Sequence, residues 1–212
     1  MEVYDPVVTQ DLRYCRIRSE WADDLEALEL RAFPSVDPTD LYSAPELVDL
    51  AEVFPEGNFV VLDNDDPIAM GLGVRVQFDL SRPQHRLKDL MAEGGKAGHN
   101  PEGEWYYGTD ISVDPRYRRR GIGSRLYDLR KGVCRELGLR GIIAGGVIPG
   151  YAEHKDSMTA AEYVERVAAG EIYDRTLTFQ VRNGFEVRGV LENYMHDPTV
   201  DSWASLIVWM KE

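Results

Sequence analysis

The chain has 212 residues, a hydrophobic content of 43% and a formal net charge of −13 at pH 7, from 37 acidic against 24 basic residues. That is enough apolar material for one sizeable core, while the acidic excess repels polyanions and argues against general binding to nucleic acid or anionic membranes. No apolar run reaches the roughly 18 residues that a membrane-spanning helix needs.

Cys15 and Cys134 are far apart and lack C-x-x-C spacing, and His85, His99, His154 and His196 follow no metal-binding pattern. The expectation is free thiols in a reducing, cytoplasmic compartment, and no metal. "MEVYDPVVTQDLRYC" has no charged-then-apolar leader, so no secretion signal is expected.

In chain order, "RYCRIRSE" alternates and predicts a first strand. Ser19 stands where a cap would open a helix over "EWADDLEALELRAF", with Trp21, Leu25, Leu28 and Ala32 at helical spacing. "SAPELVDLAEVFP" predicts a second helix, capped by Ser43 with Pro45 in its first turn. "NFVVLDNDDPIAMGLGVRVQF" predicts a hairpin about an Asn-Asp-Asp-Pro turn. Residues 79–103 are polar and glycine-rich and are expected to form a flexible excursion. "WYYGTDISVDP" predicts a strand ended by Pro115. Gly121 to Leu137 then predict a helix with a buried stripe of Ile122, Leu126, Leu129, Val133 and Leu137, stopped by Gly138. "RGIIAGGVIPG" reads as a buried strand, "SMTAAEYVERVAAG" (capped by Ser157 or Thr159) and "DRTLTFQVRNG" as helices, and "FEVRGVLENYM" and "WASLIVWMKE" as the closing strands. No repeat or composition break divides residues 1–212, so the expectation is a single α/β domain, of mixed α+β kind, around one sheet.

The stretch "VDPRYRRRGIGSRLYDLR" places an arginine cluster and two glycines at the mouth of a helix. The first turn of a helix leaves amide N–H groups unpaired at the positive end of its dipole. Gly121 and Gly123 remove side chains from that backbone, Arg118, Arg119 and Arg120 add charge, and Ser124 adds a hydroxyl, which together suit a pyrophosphate. A dinucleotide-binding G-x-G-x-x-G fails because Leu126 holds the third position, and the P-loop pattern is absent. Two other readings are an ordinary solvated helix start and a nucleic-acid patch; the second lacks an aromatic platform or wider basic face.

What remains is R-x-x-G-x-G, Arg118 to Gly123, after a strand ending "ISVDP". With "NGF" at Asn183-Gly184-Phe185, this resembles the GNAT-type N-acetyltransferase superfamily, and the predicted element order matches from Arg13 to Lys211. The resemblance implies a splayed central sheet and acetyl-CoA as co-substrate. Backbone amides from Arg119 to Ser124, including Ile122, would hold the pyrophosphate with Arg118. The main chain of Ile111 to Val113 would pair with pantetheine, and the Val113 N–H would face the oxyanion. Small residues Ala144, Gly145 and Gly146 would admit the cofactor into the splay.

Acyl transfer to an amine needs a neutral nucleophile, oxyanion stabilisation and often a proton for the leaving thiolate. Where the family commonly has a base, this chain has Tyr107, a poor base at its ordinary pKa. Asp110 is nearer the splay but, by simple alternation, on the opposite strand face, and Glu104 lies at the strand's mouth. Where the family has a tyrosine acid, this chain has Gln180; Tyr173 or Tyr151 would have to substitute. Each tyrosine also reads as an ordinary packing aromatic.

Residues 149–178 are longer than the family's usual link and are expected to form a helical insertion before the last helix. This region resembles GNAT domains joined to, or found beside, bacterial and archaeal carbon–nitrogen hydrolases. The implied function is transfer of an acetyl group to an amine of a small molecule or protein by direct attack. The alternative is a non-catalytic acyl-CoA-binding module that regulates or scaffolds a partner enzyme. A homodimer and a partner hydrolase are both compatible with the resemblance. Glu46, Asp49 and Glu52 on the second helix are either a lure for a cationic acceptor or a solvated face.

Overall fold

The computed structural model describes residues 12–211 apart from residue 94; the leader reading falls on residues outside that range. The strands are β1 (Arg13–Arg16), β2 (Phe59–Asp63), β3 (Asp66–Val76), β4 (Trp105–Val113), β5 (Gly141–Val147), β6 (Glu186–Leu191) and β7 (Ala204–Met210). The helices are α1 (Ala22–Ala32), α2 (Ala44–Val53), α3 (Leu87–Glu93), α4 (Ile122–Glu136), α5 (Ala160–Ala168) and α6 (Leu177–Arg182). The strands form one seven-stranded sheet in the order β1-β2-β3-β4-β5-β7-β6. Every neighbouring pair is antiparallel except β4 and β5, which run parallel at its centre.

Both faces of the sheet are covered. Alternation along the strands sends Val60, Leu72 and Tyr107 into one core with Leu25 and Leu28 of α1 and Leu47 and Leu50 of α2. The opposite core joins Val61, Tyr106 and Ile142 to Ile122, Leu126 and Val133 of α4 and to Tyr163, Val164 and Leu177. Each fully buried leucine of this kind contributes about 1.5–3 kcal/mol, so the central strands are clamped from both sides.

Local chemistry accounts for most boundaries. Ser43 and Glu46 form a capping box at α2, in which the Ser43 N–H donates to the Glu46 carboxylate at 2.8 Å. Thr159, rather than Ser157, caps α5, accepting from the Glu162 N–H at 3.2 Å. Ser19 does not cap α1. A single 3-10 turn, Ser19–Trp21, intervenes, the residue before α1 is Trp21, and no side chain bonds the first-turn amides.

Two expectations change more. Within residues 79–103 the chain forms α3, because Leu87, Leu90 and Met91 recur at helical spacing and pack into the core beneath α1 and α2. The segment is anchored there: the Leu87 N–H donates to Tyr194 O at 3.1 Å and the Gln84 amide donates to Val190 O at 2.7 Å. The α4 stripe is also wider than its aliphatic residues suggest. Tyr127, Arg130 and Cys134 are buried, whereas Leu137 is 39% exposed just beyond the helix end. In residues 149–178 lie a 3-10 turn (Pro149–Glu153) and α5, tied to α6 by Asp174, whose carboxylate accepts from Gly150 N, the Tyr163 hydroxyl and Leu177 N.

Candidate active site

Parallel pairing between β4 and β5 lasts for three residue pairs, Tyr106–Ile142, Tyr107–Ile143 and Gly108–Ala144, and then stops. Beyond it β4 continues to Val113 and β5 to Val147, so the two central strands part and leave a cleft between them. A β-bulge starts the divergence. Gly108 pairs with Gly73 of β3 and Asp110 with Leu72, leaving Thr109 as the extra residue. The bulge resets the alternation and turns the Asp110 side chain to the same face as Tyr107, contrary to the opposite-face expectation. Thr109 Oγ1 accepts from the Tyr42 hydroxyl at 2.9 Å.

The cleft leads directly to the head of α4. Asp114 is buried, accepts from the Arg116 N–H at 2.9 Å and fixes the Pro115–Tyr117 turn. The Tyr117 hydroxyl ties that turn to Asp63 Oδ2 at 2.6 Å. Arg119 and Gly121 then take left-handed conformations, with φ of 61° and 79°. No side chain caps the helix, so the first-turn amides of Ile122, Gly123 and Ser124 have no side-chain partner beside the exposed Arg118–Gly121 turn. Alternating backbone handedness of this kind gathers N–H groups into an anion-binding concavity.

The glycines and arginines there divide their roles. A Cβ on Gly121 would meet nothing within 4 Å, so this position keeps the approach to the amides open. A Cβ on Gly123 would lie 2.8 Å from the Phe179 ring, so Gly123 makes room for α6 instead. The Arg118 guanidinium reaches back to Val113 O (3.1 Å) and Ala32 O (3.3 Å), joining the end of β4 to the end of α1. Arg120 lies over the Tyr117 ring at 4.8 Å, and Arg119 is exposed. Ile111 and Val113 are half-buried along β4 where pairing with β5 has ended.

On the α1/α2 side of the cleft, three polar rings meet. The Tyr107 hydroxyl is 3.0 Å from that of Tyr194 and 2.7 Å from His85 Nε2. The Tyr194 ring lies across Gly145, where a Cβ would overlap it, so this glycine lets a ring reach the first β5 residue past the ladder. Burial pushes the Tyr194 phenol up to about 12 and holds Tyr107 well above the usual phenol range, while burial lowers His85 below the usual imidazole range. Neither phenol is therefore a base near neutrality; the imidazole is uncharged there.

The α1 side of the sheet also carries two buried carboxylates. Asp110 and Glu29 of α1 are both raised, first by burial, and Glu29 further by the charge of Asp110. Ser112 Oγ donates to Asp110 Oδ1 at 3.0 Å, and Asp110 Oδ2 has no partner among the described residues. Arg130 of α4, 2% exposed, lies under the bulge and donates to Leu72 O at 2.5 Å and to Asp110 O. Its positive charge favours ionisation of Asp110, so of the two carboxyls Glu29 holds its proton the more tightly.

The other sequence candidates lie elsewhere. Tyr173 is 69% exposed between α5 and α6 and is not brought together with Tyr107 and Asp110. Tyr151 is buried, with its hydroxyl donating to Met158 O at 3.2 Å. Glu104 precedes β4, at the end remote from the cleft, 3.6 Å from Arg140. Gln180 lies against Gly146, where a Cβ would be 2.5 Å from its Oε1. Asp49 and Glu52 hold Lys96 at 2.9 and 2.6 Å, and Glu46 is used by the α2 cap. Among the described residues no group of three or more His, Cys, Asp or Glu side chains could hold a metal ion, and no helix is long and apolar enough to cross a membrane. Sequence reading missed His85, Tyr194, Glu29 and Arg130. For His85 the available signal was the helical spacing that follows it; for the others there was none beyond their polar character.

Comparison with known proteins fits this geometry. The model of the acetyltransferase (GNAT) family matches residues 22–152. Two relatives come from Bacillus subtilis strain 168. "Uncharacterized N-acetyltransferase YkwB" is 32% identical over 197 residues, 91% of this chain and 87% of its own. "Probable hydrolase YhcX" is 37% identical over 188 residues, 88% of this chain but 36% of YhcX, so the chain spans about a third of that relative. That match agrees with the resemblance to hydrolase-associated domains. Among solved structures, the GphF GNAT-like decarboxylase in complex with isobutyryl-CoA superimposes with a TM-score of 0.78 at 21% identity, covering 93% of this chain and 98% of its own, which shows a shared fold. With the family model spanning more than half its length and YkwB matched nearly end to end, the chain belongs to the acetyltransferase (GNAT) family.

Proposed function

We propose that this protein transfers the acetyl group of acetyl-CoA to an amino group of a small molecule or protein by direct attack. The observation that carries the reading is the cleft between β4 and β5 leading straight into the uncapped, glycine-led head of α4. A pyrophosphate fits the amides from Arg119 to Ser124, with Arg118, Arg119 and Arg120 supplying charge. The pantetheine arm then lies along Ile111 to Val113 as an added strand, which requires Arg118 to release Val113 O. The Val113 N–H is the donor for the oxyanion, a contact most useful where charge develops during attack. Of the candidate proton carriers, Tyr107 and Asp110 border the cleft, whereas Tyr173 has no contact that would hold it there.

The binding of isobutyryl-CoA by GphF supports an acyl-CoA at this cleft, and the name of YkwB supports an amine as acceptor. Partial coverage of YhcX supports a hydrolase working beside a domain of this kind. The test combines calorimetric titration with acetyl-CoA and thiol release against a panel of polyamines, amino acids and peptide N-termini. Turnover of at least one amine is expected. Tight acyl-CoA binding without thiol release for any acceptor would favour the non-catalytic binding module, the alternative suggested by Gln180 at the family's acid position. Failure to bind would reject both. Longer and carboxylated acyl-CoAs in the same assay fix the donor.

A further inference from the structure

We infer that His85, Tyr107 and Tyr194 form a proton relay that carries the acceptor nitrogen's proton out of the cleft, with His85 as its terminal base. The inference rests on the acetyl-transfer reading above and adds to it two residues, His85 and Tyr194, from parts of the chain remote from the acyl-CoA motif.

The direction of the relay follows from the hydrogen bonds. His85 Nδ1 is 2.6 Å from Pro83 O, and a carbonyl oxygen only accepts, so Nδ1 carries the hydrogen. In the neutral ring Nε2 is then an acceptor, and its neighbour at 2.7 Å is the Tyr107 hydroxyl, which must donate. With its only proton committed to His85, Tyr107 accepts from Tyr194 across their 3.0 Å contact. The order is Tyr194 O–H to Tyr107 O–H to His85 Nε2. The Gly145 main chain also bonds to both hydroxyls; the lone pair that Tyr194 keeps is the one that takes the acceptor's proton in this relay, and its ring lies on Gly145 where the strands have parted.

The setting suits transfer rather than storage. Both phenols are buried and resist ionisation, so a proton passes through them only as a concerted shift, with neither left as phenolate. His85 is half-buried and can discharge to solvent. The groups that face it are Tyr107 of β4, Tyr194 and the ring of Phe78. Asp89 and Glu93 of α3 act on it by charge and favour the imidazolium once formed. The ring is held edge-on to Tyr107 and Tyr194, at centroid distances of 5.4 and 5.7 Å. Nothing in a purely packing role requires a hydroxyl–hydroxyl–imidazole chain to end at a half-buried imidazole.

The step balances. The neutral amine attacks the thioester carbon; the C–N bond forms and the carbonyl pair moves to oxygen. As the C–S bond breaks, CoA leaves as thiolate and takes a proton from solvent. The surplus proton on nitrogen passes to Tyr194, Tyr194's to Tyr107 and Tyr107's to His85 Nε2. The imidazolium then returns one proton to solvent.

Two measurements on the full chain test this. Long-range proton–nitrogen NMR of the imidazole, which needs no turnover, is expected to show the Nδ1–H tautomer; the Nε2–H tautomer would overturn the relay. Kinetics with acetyl-CoA and whichever panel amine the wild-type protein acetylates supply the second. His85→Phe is expected to lower kcat about a hundredfold, the lower end of proton-transfer effects, with KM for acetyl-CoA within about twofold, and to abolish the acidic limb of the kcat/KM pH profile. His85→Gln, which offers Tyr107 an acceptor oxygen but no base, is expected to keep KM while also losing that limb. Variants that keep wild-type kcat and the same acidic limb would overturn the relay and leave acetyl transfer standing. A wild-type protein that binds acetyl-CoA and acetylates nothing overturns the transfer reading and the relay with it.

Discussion

At Gly121 the backbone sits at φ 79° beside open space, whereas two residues on Gly123 is bounded by the Phe179 ring. One motif thus leaves open space at one glycine and makes room for the core with the other. Gly121→Glu would put a carboxylate over the α4 amides and a side chain into left-handed backbone, at a cost of about 1–2 kcal/mol. The expected outcome is loss of acetyl-CoA binding by calorimetry, with a Tm drop of roughly 2–8 °C. Undiminished affinity would remove the pyrophosphate from this loop. Gly123→Glu loses stability as well, because Phe179 must move. Tyr173, 69% exposed, stands at the other extreme. Tyr173→Phe is expected to retain acetyl transfer within about twofold, well short of the hundredfold or more that a proton donor contributes. A large fall in kcat would restore it as the acid.

Between elements, the decisive contacts cross the sheet. Arg130 reaches from α4 through the bulge to carbonyls of β3 and β4, so the cleft opens over a fixed cation rather than over loose backbone. On the other face α1 places Glu29 against Asp110, and both carboxylates hold their protons more tightly than in the unfolded chain. A raised folded pKa contributes stability that is fully present below the unfolded value, about 4, and is lost as pH rises through the folded value. Stability should therefore fall as pH rises from about 5 to about 8, and Glu29→Gln, which keeps the bond from Tyr42 N, should flatten that fall. Thermal unfolding across that range checks it; parallel curves for the two proteins would show that Glu29 is not held protonated by the folded chain.

For the molecule as a whole, a net charge of −13 surrounds a local nest of arginines. Charge of that sign repels an anionic cofactor at long range and draws a cation, so under the acetyl-transfer proposal CoA is held by short-range amides while a cationic amine is steered by the field. If acetyl transfer occurs, kcat/KM for spermidine should fall several-fold as NaCl rises from about 0.05 to about 0.5 M, because screening shortens the reach of surface charge. A singly charged amine should change less. Equal salt dependence for both would show that the field plays no part in acceptor capture.

Much of this was readable along the chain, because caps, turns and periodicity act over three or four residues. Ser43 with Glu46, Asn64 in its left-handed turn, Gly121 at the head of α4 and the aliphatic stripe of that helix all belong to this class. Helix α3 is the instructive miss: glycines around it hid the spacing of Leu87, Leu90 and Met91. The bulge at Thr109, the point where β4 leaves β5, and the meetings of His85 with Tyr107 and of Tyr107 with Tyr194 are of another kind. Those partners stand 22 and 87 residues apart. Local hydrogen bonding and hydrophobic pattern carry no information across such separations; strand order and the closing of both cores bring these side chains together.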